Sequence, residues 1–271
     1  LGNFFCDNEN QKLNYLKIKK MNILIPMAGE GTRFPRDTYK IPKPLIEING
    51  VPMIQKAIES LGLVGTYHFV IRKDSYYDQV CALLHKILLD PKIISVEETT
   101  EGPAASCLLF KDFINDEEEL VIANCDQIMW WDPDLFLTNA RYYKYDGLVV
   151  TYSTTTPKNS YARVDRSGFV QEIKEKEVIS DISLNGIHYW RKGKYFVQSA
   201  EGMIKSNDRA PNGEFYVGPT YNYMIMNGLK VGIHHIPSFQ HNPVGVPDDL
   251  NLFLNKEKTN YVTANKRLDC L

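Results

Sequence analysis

Arg33 closes a glycine-bearing turn and Lys43 follows it across a short gap, an arrangement suited to holding an anion. The turn, Ala28-Gly29-Glu30-Gly31-Thr32-Arg33, follows the short apolar run Ile23-Leu24-Ile25. Glycines let a backbone bend sharply and bring its N–H groups close to a ligand. Arg33 adds a planar, permanently charged fork, and Lys43 follows ten residues later between Pro42 and Pro44. A glycine loop with a cation on each side of a gap suits nucleotide phosphates. Taken alone, Gly-x-Gly is equally the mark of an ordinary strand-to-loop turn. The stretch has neither the Gly-Lys-Ser/Thr of a P-loop nor the third glycine of the dinucleotide fingerprint. A second chemical group is Asp126, which closes the apolar run Leu120-Val121-Ile122-Ala123 through Asn124 and Cys125. A carboxylate there is either a solvated loop residue or a ligand for magnesium, which binds through one or two carboxylates plus substrate phosphates.

Such groups need a rigid layer behind them. Met53, Ile54, Ala57, Ile58 and Leu61 share one helical face, and Gly62 is a stop signal. Residues 66–71 (TYHFVI) read as a strand. Val80, Cys81, Leu84, Ile87 and Leu88 read as a second amphipathic helix, and 92–96 as a further strand. This alternation predicts an α/β fold with a mostly parallel, Rossmann-like central sheet. Right-handed crossovers then gather the loops at the strands' C-terminal edge, where ligands bind. Asp132-Pro133-Asp134 reads as an N-cap with proline in the first helical turn rather than as a D-x-D metal motif. Runs 161–165 and 169–173, around Arg166-Ser167-Gly168, predict a hairpin, so the second half adds antiparallel strands.

The strand, Gly29-Glu30-Gly31-Thr32-Arg33-Phe34, Pro42-Lys43-Pro44-Leu45 and Gly50-Val51-Pro52-Met53 together resemble the sugar-phosphate nucleotidyltransferases, the nucleoside-diphospho-sugar pyrophosphorylase-like enzymes. Their signature is a G-x-G-T-R loop followed by P-K-P-L and a G-x-P-M turn. The resemblance extends over residues 21–258. It implies a single GT-A-like nucleotidyltransferase domain with an antiparallel acceptor-side subdomain. Residues 1–20 would be an extension outside this core, with Met21 a candidate start, and 259–271 a C-terminal tail.

The same resemblance implies roles. Arg33 and Lys43 would be catalytic, and Ala28, Gly29, Gly31, Thr32 and Gly102 would bind the nucleotide, with Glu101 a weaker candidate. Asp126 would bind Mg²⁺. Glu175 and Lys176 match the Glu-Lys pair that holds the acceptor. Asn185 and Gly186 match the N-x-G strand lining its pocket, and Glu214 or Tyr216 is a further, weaker candidate to touch it. Three positions depart from the pattern: Glu177 stands where a proline is usual, Val246 replaces a threonine, and Pro243 falls where a second metal-binding aspartate is expected. His241 or Asn242 would have to compensate, or one carboxylate would suffice. The implied reaction joins a nucleoside triphosphate to a phosphate monoester, first of all a sugar 1-phosphate, with release of pyrophosphate. A CTP-dependent cytidylyltransferase acting on a small non-sugar phosphate such as phosphocholine is the alternative. A glycosyltransferase or a catalytically silent nucleotide-binding module are rival readings, the latter drawing on Pro243.

Composition is consistent with this. The 271 residues are 44% hydrophobic, enough for a sizeable core, and a net charge of −2 suggests no nucleic-acid surface. Five scattered cysteines without a C-x-x-C pair suggest free thiols in a reducing compartment and no zinc site. No apolar run approaches ~18 residues, and residues 1–20 lack the apolar centre of a signal peptide. A cytoplasmic enzyme without membrane partners is expected. Homo-oligomerisation is compatible with the sequence and not specified by it.

Overall fold

A computed structural model describes residues 21–268 apart from Arg36, with side chains described to residue 258. The expected extension, residues 1–20, lies outside the described residues.

In chain order, β1 (Met21–Met27) leads through the glycine loop and a 3-10 turn (Lys43–Leu45) into the short pair β2 (Glu47–Ile48) and β3 (Val51–Pro52). Then come α1 (Met53–Leu61), β4 (Thr66–Arg72), α2 (Tyr77–Ile87), β5 (Lys92–Val96), α3 (Pro103–Leu108), α4 (Lys111–Ile114) and β6 (Glu119–Ala123). The second half holds β7 (Gln127–Met129), α5 (Pro133–Tyr142), β8 (Gly147–Ser153), the hairpin β9 (Ser160–Val164) and β10 (Val170–Glu175), and β11 (Ile182–Trp190). It closes with α6 (Gly193–Lys205), α7 (Thr220–Met226), β12 (Val231–His235), β13 (His241–Pro243) and α8 (Pro247–Leu268). The expected tail therefore begins inside α8.

Local signals explain the helix ends. Gly62 closes α1 in the left-handed conformation at φ 65°. Asp132 caps α5: its Oδ1 accepts from the backbone N–H of Asp134 at 3.0 Å and of Leu135 at 3.1 Å. The D-x-D segment is a cap, as its proline suggested.

The described residues form a nine-stranded sheet along the path β10-β9-β11-β6-β1-β4-β5, with β8 on the other edge of β11 and β12 beyond it. Strands β6, β1, β4 and β5 are parallel, and β11 runs antiparallel to β6. Alternate residues of β1 feed opposite layers. Ile23 and Ile25 pack with Ile54, Ile58 and Phe69, whereas Leu24 packs with Val70, Cys107 and Phe196. Both faces are covered by helices, which is why the parallel strands read as continuous apolar runs. The antiparallel strands extend this same sheet.

One edge of β11 changes neighbours along its length. Ile187 to Trp190 pair with β6, while Ser183 pairs with Tyr161 of β9; β8 stays on the opposite edge throughout. The sheet thus forks. One prong is β6 with the loop that carries Asp126; the other is the β9–β10 hairpin, which ends at Glu175. Between them lie Leu184, Asn185 and Gly186, where the register with β8 shifts. Gly186 has φ 91°, and a side chain there would overlap Asn124.

A smaller apolar cluster holds the glycine loop. Phe34, Ile46, Ile48 and Met53 pack with Ile128, Val244, Leu250 and Phe253. Phe34 is 2% exposed. Burying a side chain of this size is worth roughly 1.5–3 kcal/mol, so the loop is anchored immediately after Arg33. Cys81, Cys107 and Cys125 are free thiols; Cys6 and Cys270 lie outside the described residues. No described helix is long and apolar enough to cross a membrane.

Candidate active site

The loops that follow β1, β4, β5 and β6 meet at the C-terminal edge of the parallel strands, as the crossover rule requires. Lys43, from the 3-10 turn, donates to Asp126 Oδ2 from the loop after β6. The two side chains are only 11% and 19% exposed. Burial alone would raise the Asp126 carboxyl; the ammonium of Lys43 and the guanidinium of Arg33 outweigh it and hold the carboxyl below its ordinary value. Arg33 itself is exposed and makes no hydrogen bond or ion pair with a described residue. It is an unspent cation beside a paired one.

The loop geometry suits close approach of a ligand. Gly31 needs its glycine, with φ 65° and Lys43 Cβ 3.5 Å from where a side chain would begin. No described residue lies within 4 Å of a Cβ built on Gly29, so packing among the described residues does not explain that glycine. Thr32 is exposed, while the Ala28 methyl is buried in the core, leaving only its backbone to face a ligand.

The C-terminal segment reaches this same place. Strand β13 pairs with β7, setting Pro243 opposite Gln127, and the Val244 N–H donates to the Asp126 carbonyl at 2.9 Å. Gly245 comes so close that a side chain would overlap the Asp126 carboxylate. Pro243 therefore sits beside Asp126 and offers it no side-chain donor. Asn242 is buried; its amide donates to the Ile128 and Phe239 carbonyls, and its Oδ1 accepts from Lys256. His241 packs its ring 4.6 Å from that of Tyr152, and burial brings its pKa down to about 4 against the pull of Asp126, with Lys256 adding to the lowering. Its Nδ1 has no hydrogen-bond partner among the described residues.

Among the described residues no cluster of three or more His, Cys, Asp and Glu is suited to a metal. One carboxylate at a strand's C-terminal end would fit a Mg²⁺ that keeps several waters and takes its other oxygens from substrate phosphates. The same donor set is too poor for a metal held by protein alone.

Gly102, after β5, is buried with φ 126°, and a side chain there would overlap the Phe215 backbone. Phe215 N–H donates to the Glu101 carbonyl at 2.8 Å, and its carbonyl accepts from Ala104 N–H at 3.0 Å. This glycine is required by packing between two chain segments. Arg209 strengthens the joint: it pairs with Glu101 at 2.7 Å and lies 4.1 Å over the Phe215 ring. Glu101 is thus engaged with Arg209.

On the other prong, Glu175 is 9% exposed and accepts from the Ser160 hydroxyl. Burial pushes its carboxyl up, with Ser160 and Lys176 opposing and Glu214 adding. Lys176 Nζ donates to the Tyr216 hydroxyl at 2.7 Å. Beside them is a cleft of about 270 Å³ lined among others by Glu175, Glu177, Asp208, Arg209, Tyr216 and Asn222. Asn222 closes the free edge of β10 by accepting from Ile173 N–H at 2.8 Å and donating to its carbonyl at 2.9 Å. Asn185 turns inward. Its Oδ1 accepts from Ile187 N–H at 2.9 Å, so the amide braces the fork while the Gly186 backbone abuts Asn124.

Sequence reasoning missed Asn222 and Arg209. Neither has a local signal, because each acts on a segment distant in the chain.

A family model described as "Nucleotidyl transferase" matches residues 23–215. The chain is 26% identical over 227 residues to the bifunctional protein GlmU of Clostridioides difficile (strain 630), covering 77% of this chain and 45% of that protein. It is 36% identical over 81 residues to a 2-aminoethylphosphonate cytidylyltransferase of Lancefieldella rimae, covering 30% of this chain and 32% of that protein. These matches span less than half the length of the curated relatives. A nucleoside-diphosphate-sugar pyrophosphorylase structure from Vibrio cholerae RC9 superposes with TM-score 0.74 at 22% identity, covering 86% of this chain and 99% of that one. At that identity the likeness is one of fold.

Proposed function

This chain belongs to the nucleotidyl transferase family, and from that premise we propose that it joins a nucleoside triphosphate to a phosphate monoester and releases pyrophosphate. The observation carrying this reading is the fork. A charged edge with Lys43, Asp126 and Arg33 stands on one prong, and Glu175 with Lys176 on the other.

The chemistry needs little from the protein beyond placement and charge. A phosphate monoester is largely dianionic at neutral pH, its second pKa being about 6, and attacks the α-phosphorus without a general base. Arg33 holds β- and γ-phosphate oxygens as pyrophosphate departs, using its planar fork. Lys43 leaves Asp126 to stabilise charge near the α-phosphate. Asp126 would hold Mg²⁺, which would supply Lewis-acid polarisation of phosphoryl oxygens. Backbone groups of Ala28, Gly29, Gly31 and Thr32 approach the triphosphate, and the segment at Gly102 approaches the base.

The acceptor is a sugar 1-phosphate in this reading. The cleft beside Glu175 has carboxylate and amide walls in Glu175, Glu177, Asp208 and Asn222, which suit a polyhydroxylated ring. A CTP-dependent reaction on a small non-sugar phosphate is the second reading, favoured by the identity of 36% over 81 residues to a cytidylyltransferase. ³¹P nuclear magnetic resonance of the reaction mixture separates them. A new diphosphate pair with a sugar 1-phosphate supports the first; the same signal only with CTP and a non-sugar phosphate supports the second. No diphosphate product with any pair removes both.

A further inference from the structure

Lys176 is held in an unusual way. Its backbone is left-handed at φ 57°, and its N–H donates to the Asn159 carbonyl at 2.9 Å. The ammonium donates to the Tyr216 hydroxyl at 2.7 Å and stands 4.8 Å over that ring's centroid. It forms no ion pair with a described carboxylate. An ammonium has three N–H donors, so two remain unspent.

Tyr216 is fixed from the other side. Its hydroxyl oxygen also accepts from Asn212 Nδ2 at 3.0 Å. Two N–H donors fill both lone pairs, leaving the hydroxyl hydrogen free only to donate. Burial raises the phenol's pKa, Lys176 and Asn212 oppose, and Glu214 adds, so the proton stays in place at neutral pH. Glu214 is an exposed residue. The segment carrying Tyr216 is pinned by Arg209, which stacks on Phe215 and donates to the Gly213 carbonyl at 2.8 Å. Tyr216 lines the cleft beside Glu175.

We propose that Tyr216 binds the acceptor's phosphate: its hydroxyl and the Lys176 ammonium act as paired donors to it, and Asn212 sets the hydroxyl's direction. This rests on the reading of the chain as a nucleotidyltransferase, and it assigns Tyr216 a contact with the group that attacks. The ring and the ammonium would stay in register because the contact over the ring does not need the hydroxyl.

The test uses Tyr216→Phe, which keeps the ring and its packing. Steady-state kinetics with glucose 1-phosphate should show the acceptor KM raised roughly 10- to 100-fold, as expected for losing one hydrogen bond to a charged group. The KM for the nucleotide should stay within about twofold, a split that general loosening of the fold would not produce. Asn212→Ala should raise the acceptor KM less, and it serves as the second probe should Tyr216→Phe fold poorly. Calorimetric titration with inorganic phosphate and with glucose 1-phosphate gives a readout independent of turnover. If the wild-type chain transfers no nucleotide yet binds glucose 1-phosphate in a Tyr216-dependent way, the phosphate site stands and the nucleotidyltransferase reading falls. Unchanged acceptor KM and unchanged affinity in Tyr216→Phe overturn the proposal. So does an equal rise in both KM values, and so does a wild-type chain that binds neither phosphate probe.

Discussion

Lys43 and Asp126 lie 83 positions apart in the chain and form one hydrogen-bonded ion pair at the C-terminal edge of the sheet. Any cation that arrives at Asp126 competes with the lysine already there. On the proposed function, a metal brought by a triphosphate would carry its own anions, and these would give Lys43 an alternative partner. On the same reading, nucleotide and metal together should therefore bind more tightly than metal alone.

The pair has a signature in stability. Burial raises the Asp126 carboxyl, but Lys43 and Arg33 lower it further, and the net shift is downward. A folded pKa below the unfolded value of about 3.9 stabilises the fold above that value and loses the contribution as pH falls through the folded pKa. Asp126→Asn should flatten the acid limb of stability, measured as urea midpoints between about pH 5 and pH 2. An acid limb of unchanged steepness would show that the carboxylate carries no such coupling.

Arg33→Ala should lower turnover by ~10²–10³, the loss typical of removing one oriented donor from a developing charge. Arg33→Lys should restore only part of it, because the planar fork is absent. Stability should change little, since the side chain is exposed and unpaired among the described residues. Equal activity in the lysine variant would mean that a point charge suffices.

Gly102→Ala should destabilise the fold by about 1–3 kcal/mol from backbone strain alone, with overlap on Phe215 adding to it. Chemical denaturation measures this. A cost below ~0.5 kcal/mol would mean the two segments part without penalty, and the joint described here would not be rigid.

Replacing Asn222 by leucine leaves the N–H and C=O of Ile173 without their side-chain partner. The expected loss is roughly 1–3 kcal/mol in urea unfolding. The acceptor KM should also rise, because Glu175 lies two residues further along the same strand. A variant as stable as the wild type would imply that water serves the strand edge equally well.

Local chemistry made much of this fold legible. The alternation of apolar runs and amphipathic faces gave the parallel layer, and Asp132-Pro133 marked a helix start that the structure bears out. Long-range relationships were not readable in that way. Nothing near Gly102 announces that Phe215 will press against it, and nothing near Asn185 shows that its amide will brace a bulge rather than face the cleft. The strands β7 and β13 each span only three residues, too short for a periodic signal, yet their pairing brings Pro243 beside Asp126. Pro243, where the resemblance places a carboxylate, was visible in the sequence, whereas its neighbours' commitments were not. Asn242 is occupied by two carbonyls and Lys256, and His241 is buried against Tyr152.

The most direct test of the central claim is acceptor-dependent release of pyrophosphate. Four ribonucleoside triphosphates and dTTP, each with Mg²⁺, are crossed against sugar 1-phosphates, phosphocholine and other small phosphate monoesters. The account predicts release with at least one pair, dependent on both substrates, and its loss in Lys43→Ala. No release from any pair, together with no binding of any nucleotide by calorimetry, would contradict it.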